Sequence, residues 1–291
     1  MKVLVITFSP TGNTESLGRK IKSSLIKRGE KVQHIELSNL SGYFETTEKL
    51  KLLQDVVEPH EMLILGSPVY ANHFQYHMKD LVSILPPPDE KWGKKTAVYV
   101  TYGGIDSGIA LEEAGRLIKR SGRRNVLGAK VTMSHRMTRA FLDNEFDCSK
   151  VEEIERIVEL FIDRVQIHSI RDTGDNRKEY AYKSRWDFLK ANTIFQEKKW
   201  HEKRYPTIYI DRTSCISCSK CVNACPVGHL GQTEERGIQL SKAIKCIHCF
   251  NCVASCDKNA VNLDGDLEKA KIFMEKLMAK EKEVPSSSVY E

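Results

Sequence analysis

The chain has 291 residues, 41% of them hydrophobic and 29% charged, with nine cysteines and a formal net charge of +6. That length accommodates two domains with real cores, and the longest apolar runs, such as Val3 to Phe8, stop far short of the roughly 18 to 20 residues that cross a bilayer. No membrane partner is expected, and a strand-like opening that runs into a turn without a small-residue cleavage site points to a cytoplasmic location.

From Met1 to about His168, short β-branched runs alternate with longer helical periods, a pattern that predicts a parallel sheet with crossover helices. Strands are predicted over Lys2 to Phe8, Lys31 to Leu37, Met62 to Gly66, Lys95 to Tyr102 and Val126 to Met133. Helices are predicted near Asn13 to Arg28, Glu45 to Val57, His73 to Leu85, Ser107 to Ser121 and Lys150 to Ile167. Together they make one doubly wound, five-stranded α/β domain. A polar stretch follows, then Tyr182, Trp186, Leu189 and Thr193 or Ile194 at helical spacing up to about Trp200, read as a packed helix that braces two domains. Residues 164 to 204 carry 11 Lys or Arg against 6 Asp or Glu, which reads as a solvated basic linker or, more sharply, as a docking site for an acidic redox partner. Pro206 ends the helix, a cysteine-rich segment runs to about Asp266, and an amphipathic helix with a mobile VPSSSVYE tail closes the chain. The expected divisions are therefore 1–168, 169–204, 205–266 and 267–291.

The first strand ends in Ser9-Pro10-Thr11-Gly12-Asn13-Thr14 and opens a helix. Hydroxyls, backbone N–H groups and the helix dipole can cradle a phosphate there, and Gly12 lets the backbone come close. The run lacks the Gly-Lys-Ser/Thr ending of a Walker loop and is not G-x-G-x-x-G. It resembles the phosphate loop of flavodoxins, with Ser9, Thr11, Gly12, Asn13 and Thr14 on the matching positions. In an open α/β sheet, ligands sit beyond the carboxyl ends of the strands. Two more loops lie there, Ser67-Pro68-Val69-Tyr70-Ala71-Asn72 and Thr101-Tyr102-Gly103-Gly104-Ile105-Asp106. They resemble the two flavin-ring loops of the flavodoxin-like family, which implies FMN, with residues 67 to 72 along one side of the ring and 101 to 106 at its pyrimidine edge. Tyr70 and Tyr102 are candidates to stack on it, and Gly103 and Gly104 allow close amide approach. The loop Ser134-His135-Arg136-Met137-Thr138-Arg139 gathers positive charge where a partner or substrate could approach. His73 and His77 are read as ordinary helix residues.

Eight of the nine cysteines crowd into 42 residues, a metal-ligand pattern that suits a reducing compartment better than a disulfide scaffold does. Cys215, Cys218, Cys221 and Cys225, followed by Pro226, match the bacterial C-x2-C-x2-C-x3-C-P run, and Cys246, Cys249, Cys252 and Cys256 repeat it. Soft thiolates suit iron–sulfur iron, whereas structural zinc would leave thiolates unused. In this arrangement the last cysteine of each run serves the other cluster, so Cys215, Cys218, Cys221 and Cys256 are assigned to one 4Fe–4S cluster and Cys225, Cys246, Cys249 and Cys252 to the second. The segment resembles the two-cluster bacterial ferredoxins, which implies a pseudo-symmetric α+β fold and one-electron transfer at low potential. Asp257 stands where that family has proline; an extra amide hydrogen bond there would raise the potential and a carboxylate would lower it. Cys148 lies outside both runs and is read as a bystander.

The whole chain resembles the flavodoxin–ferredoxin fusion proteins, often labelled EFR1-family ferredoxins. The resemblance implies an electron-transfer flavoprotein that relays electrons between two 4Fe–4S clusters and FMN, with a ferredoxin or another iron–sulfur or flavin oxidoreductase as partner. The alternative is a reductase with its own small acceptor at the flavin, a quinone, disulfide or corrinoid, bound by His135, Arg136 and Arg139. With about −2 on each cluster unit and about −2 on a flavin phosphate, the formal surplus of positive charge vanishes. Nothing in the chain has the form of a DNA-reading motif.

Overall fold

A computed structural model describes residues 1–134, 150–170, 180, 183–194, 196–197, 199, 205–234, 237–280 and 287–290. The loop from His135 to Arg139, Cys148, Tyr182 and Trp200 lie outside the described residues. The five predicted strands are present as β1 (Lys2–Thr7), β2 (Lys31–Glu36), β3 (His60–Tyr70), β5 (Trp92–Tyr102) and β6 (Arg124–Thr132). Between and after them run α1 (Asn13–Lys27), α2 (Lys49–Val56), α3 (Tyr76–Ile84), α4 (Ala110–Arg120) and α5 (Val151–Ile170). These strands are parallel in the order β2-β1-β3-β5-β6, the flavodoxin-like winding whose switch point lies between β1 and β3. Both sheet faces are covered, so β1 reads as continuous Val-Leu-Val-Ile. Val3 and Val5 point into the core under α1 and α5, and Leu4 and Ile6 into the core on the opposite face.

Three features depart from expectation. β3 runs past Gly66 to Tyr70 and folds back on β4 (His73–Phe74), pairing Val69 with Phe74 and Tyr70 with His73. Ala71 and Asn72 form the turn with φ of 48° and 69°, the two positive angles that a two-residue hairpin of this hand requires. His73 is consequently a strand residue and α3 starts only at Tyr76. Ala-Asn lacks the glycine that usually announces such a turn. The closing segment is not a free tail in its last residues: β11 (Ser288–Tyr290) pairs antiparallel with β6. Ser287 Oγ accepts from Thr132 N at 3.1 Å, and Ser287 N donates to Glu153 Oε1 at 2.7 Å. The strand satisfies the outer edge of β6, which would otherwise present unpaired backbone groups. The third departure concerns α6 (Arg185–Thr193), which a Ser184–Asp187 capping box starts. Its apolar residues do not pack as expected: Trp186 is 74% exposed, Leu189 53% and Ile194 64%. Ala191 is its buried residue, and Phe188 lies under the Arg116 guanidinium at 4.1 Å.

The cysteine segment folds as two antiparallel pairs, β7 (Thr207–Ile210) with β10 (Val261–Asp264) and β8 (Leu230–Thr233) with β9 (Gly237–Leu240). Two single-turn helices, α7 (Lys220–Asn223) and α8 (Asn251–Ala254), lie within the cysteine runs and carry Cys221 and Cys252, and α9 (Leu267–Lys280) leads away. Val227, Ile247 and Cys249 join the same buried cluster as Phe8, Tyr43 and Tyr70, so one core continues from the sheet domain into the cysteine segment. Among the described residues no helix is long and apolar enough to cross a membrane.

Candidate cofactor sites

The first loop is built on β1 and α1. Ser9 N donates to Glu36 Oε1 at 2.8 Å, and Ser9 Oγ accepts from Glu15 N at 2.9 Å. Gly12 takes φ 86° as the N-cap of α1 and has no side chain to cap the helix, so Ser9 Oγ meets the Glu15 N–H instead. The backbone N–H groups of Asn13 and Thr14 have no acceptor among the described residues. A helix start with two open N–H groups, after a glycine at positive φ and two hydroxyl residues, fits a phosphate. The buried carboxyl of Glu36, at the end of β2, also accepts from Thr7 Oγ1 at 2.5 Å and from Ser38 Oγ at 2.9 Å. Burial pushes it up to about 7, against the pull of these donors. Glu36 carried no sequence signal, because only the fold brings the end of β2 under the loop.

The three predicted loops meet. Thr14 Oγ1 and Thr101 Oγ1 lie 2.7 Å apart, buried, and Asn13 Nδ2 donates to Ser134 O at 2.8 Å. Ile109 N donates to Asn72 O at 2.8 Å, and Gly108 N to Asp106 Oδ1 at 2.8 Å. A Cβ on Gly108 would stand 2.2 Å from the Asn72 Cβ, so the second and third loops approach backbone to backbone. Ser67 is spent on structure, accepting from Gln75 N at 3.1 Å and donating to the Pro68 carbonyl at 2.9 Å. Thr101, Tyr102 and Gly104 are buried, while Pro68 is partly open, and so are Val69, Ala71, Asn72, Gly103 and Asp106. Asp106 Oδ2 also accepts from Lys183 Nζ at 2.9 Å. Tyr70 is buried toward the cysteine segment, and that burial raises its hydroxyl far above the usual phenol range.

The two cysteine runs repeat each other in conformation as well as spacing. Ser217 and Ser219 take φ of 55° and 60°, and their counterparts His248 and Phe250 take 55° and 59°. These left-handed residues give the two runs the same sequence of tight turns. The eight thiols are free. Burial pushes up the Cys246, Cys249, Cys252 and Cys221 thiols; Cys225 adds to the rise at the first three, Cys215 and Cys256 add to it at Cys221, and Cys221 also adds to it at Cys252, so the two runs adjoin. Backbone N–H groups aim at the sulfurs, from His229 to Cys225 at 3.2 Å, His248 to Cys246 at 3.3 Å and Ala260 to Cys256 at 3.2 Å. Asp257 pairs with Lys220 Nζ across the two runs, so its carboxylate is partnered by a lysine. Asn251, beside Cys252, donates its side-chain amide to the Pro10 carbonyl in the phosphate loop. No sequence pattern links residues 241 positions apart.

Comparison with known proteins agrees with both halves. A family model described as NADPH-dependent FMN reductase matches residues 1–137, and one described as 4Fe-4S dicluster domain matches residues 207–257. A ferredoxin of Pyrobaculum islandicum is 39% identical over 59 residues, which are 20% of this chain and 54% of that protein. An uncharacterized ferredoxin of Methanocaldococcus jannaschii is 36% identical over 56 residues, 19% of this chain and 73% of that protein. The chain thus spans about half the length of the first of these relatives. Among solved structures, flavodoxin 1 of Bacillus cereus aligns with a TM-score of 0.40 at 18% identity, over 57% of this chain and 98% of its own. The protein is thus an FMN-binding flavodoxin-like domain joined to a dicluster domain with two 4Fe–4S clusters. An FMN-reductase-like domain followed by a dicluster domain matches the organisation of a flavodoxin–ferredoxin fusion.

Proposed function

We propose that the chain is an electron relay whose outer cluster, held by Cys215, Cys218, Cys221 and Cys256, meets a redox protein partner, while its inner cluster, held by Cys225, Cys246, Cys249 and Cys252, faces the FMN. The observation that supports this is a break in the internal symmetry. Ile216 in the first run is 62% exposed, whereas its counterpart Ile247 in the second is 3% exposed. Cys218 is exposed, and no member of the second set is. When bound, each cluster carries one electron and FMN takes two, so the chain can pool or split electrons.

The residues do the rest. Ser9 and Thr11, with the N–H groups of Gly12, Asn13 and Thr14, are proposed to hold the FMN phosphate. Residues 67–72 and 101–106 are proposed to flank the ring, with the Gly103 and Gly104 amides toward its pyrimidine edge. Asn251 pins the inner cluster segment to the phosphate loop. Ile216 offers an apolar spot beside an exposed sulfur, where a partner ferredoxin or iron–sulfur flavoprotein can dock. Holding both centres on one chain replaces an encounter between molecules by a fixed approach. A reductase acting on its own small acceptor at the flavin is the competing reading. Anaerobic stopped-flow spectroscopy of the reconstituted protein separates them, with reduced ferredoxin and NADPH as donors and a panel of quinones, disulfides and corrinoids as acceptors. Reduction by ferredoxin, slowed by Ile216→Glu and with no acceptor consumed, supports the relay. Rapid multiple turnover of one acceptor refutes it, and iron and flavin contents far from about eight and one per chain would overturn the cofactor assignment.

A further inference from the structure

Where residues 243–248 cross over the sheet domain they leave a cavity of ≈ 200 Å³. Its other walls are Phe44, Tyr70, Tyr76, His77 and Glu197. None of Ser9–Thr14 or Thr101–Asp106 lines it, and Tyr70 is the residue it shares with the second flavin loop, so it lies beside that loop and apart from the phosphate loop and the third. We propose that this cavity is a second ligand site, which takes a single six-membered aromatic ring carrying an oxygen substituent, the phenol and hydroquinone class, with that oxygen hydrogen-bonded to Glu197.

The size, the walls and the charge each narrow the choice. A cavity of about 150 Å³ lined by apolar side chains accepts benzene, so this one has room for one substituted ring. Its walls are aromatic and already meet in edge and tilted contacts: Phe44 and His77 lie at 4.7 Å between ring centroids with planes 70° apart, Tyr76 and His77 at 4.0 Å with planes 39° apart. A further flat ring extends that set favourably.

Glu197 supplies the polar end. Its side chain is 3% exposed, its Oε1 accepts from Tyr76 N at 3.1 Å, and its Oε2 has Lys79 Nζ at 3.4 Å, with no well-aligned hydrogen bond among the described residues. A buried carboxyl oxygen held by one shared lysine can take a further hydrogen-bond partner. Lys79 itself is shared with Glu113, at 3.2 Å, and Glu113 faces His73 at 3.3 Å. Burial, reinforced by the Glu113 charge and opposed by Lys79, pushes Glu197 up to about 8, so near neutral pH the carboxyl keeps its proton and can donate to a ring oxygen. Lys79 behind Glu197 and Lys245 in the wall disfavour a cationic ligand such as an aromatic amine salt. Cys246 lies in the roof of the same cavity, which puts the ring beside a ligand of the inner cluster. The inference uses the cavity walls alone and does not depend on the direction or partner of the relay.

The test is anaerobic titration of the oxidised holoprotein with hydroquinone, followed by isothermal calorimetry and saturation-transfer NMR. Saturable binding is expected, weakened at least tenfold in Glu197→Leu and lost in Phe44→Trp, which fills the cavity. Unchanged flavin and cluster absorption shows that each variant is folded and loaded. Glu197→Gln keeps the donor and should bind within about threefold of the parent. Absence of saturable binding in the parent overturns the proposal. So does binding that perturbs the flavin spectrum and survives both Phe44→Trp and Glu197→Leu, because the ring would then be stacking on the flavin.

Discussion

Gly108→Ala tests whether the second and third loops form one rigid support. Gly108 has φ +55°, and its added methyl would stand 2.2 Å from Asn72 Cβ, 2.3 Å from Asn72 O and 2.5 Å from Asn72 Cα. Two of those atoms are backbone, so no flexible side chain can yield. The left-handed conformation costs an alanine about 1 kcal/mol more than a glycine. Forcing the loops apart costs about 1–3 kcal/mol, and the Ile109 N to Asn72 O bond of 2.8 Å is lost for about 1 kcal/mol more. The sum is about 3–5 kcal/mol, or about 10 °C in the melting temperature of a unit this size. Thermal unfolding followed by circular dichroism, together with FMN release followed by fluorescence, reads it, and FMN affinity should fall at least tenfold. Gly231→Ala is the control, because a Cβ there meets nothing within 4 Å, and it should stay within about 0.5 kcal/mol of the parent. If Gly108→Ala melts within 2 °C of the parent (roughly the shift that 0.5–1 kcal/mol produces) and holds FMN equally well, the two loops are not braced as described.

Three further outcomes are expected. Lys220→Gln removes the partner of Asp257 and leaves a bare carboxylate beside Cys256, so the midpoint potential of the outer cluster should fall while that of the inner cluster does not move, as read by an electron paramagnetic resonance redox titration. Removing residues 287–291 strips the antiparallel partner of β6 and should lower the melting temperature and speed proteolysis within the flavodoxin-like domain, while iron content stays the same. Glu36 gives a pH dependence: burial raises its folded value from 4.5 to about 7. Its contribution is therefore full below the ordinary carboxylate range and is lost as pH climbs through about 7, a change of about 3 kcal/mol. His34, lowered by burial to about 4, loses stability only on the acid side. FMN should accordingly bind more tightly at pH 6 than at pH 8, and Glu36→Gln should flatten that slope; equal slopes in the two proteins would refute it.

The parts of the fold that were legible are those written in local chemistry. Val-Leu-Val-Ile in β1 needs both faces buried, and Thr11-Gly12-Asn13 gives a helix start with open N–H groups, so the strand, the loop and the helix follow from neighbouring residues. The two cysteine runs announce a dicluster domain by spacing alone. What stayed hidden depends on partners distant in sequence. Glu36 matters because the fold carries the end of β2 under Ser9. Asn251 matters because Pro10 lies above it, and Ser288–Tyr290 form a strand only because β6 has an open edge. The Ala71-Asn72 turn escaped notice for a local reason: neither residue is glycine, yet the surrounding strand pair holds both at positive φ. Trp186 and Leu189 misled in the other direction, since apolar residues at helical spacing are evidence of packing only when a neighbour covers that face.

The two halves of the dicluster segment have the same backbone, with left-handed residues at the same places, and so begin as equals. What makes them unequal is the surface each presents. The first run carries Ile216, Ser217, Ser219 and Lys220, a mixture that solvent tolerates, while the second carries Ile247, His248, Phe250 and Asn251 at the same positions. Ile247, His248 and Phe250 are buried, Phe250 within the core of the cysteine segment itself, and covering Ile247 draws the second run against the sheet domain. There the Asn251 amide finds the Pro10 carbonyl, and Ile247 and Cys249 enter the core that contains Tyr70. A few side chains that differ between otherwise equivalent loops therefore decide which run packs against the sheet domain. Exchanging His248 and Phe250 for their counterparts, as His248→Ser with Phe250→Ser, should loosen the inner run and raise the rate at which external reductants reach it, without changing the cysteine ligands or the iron count.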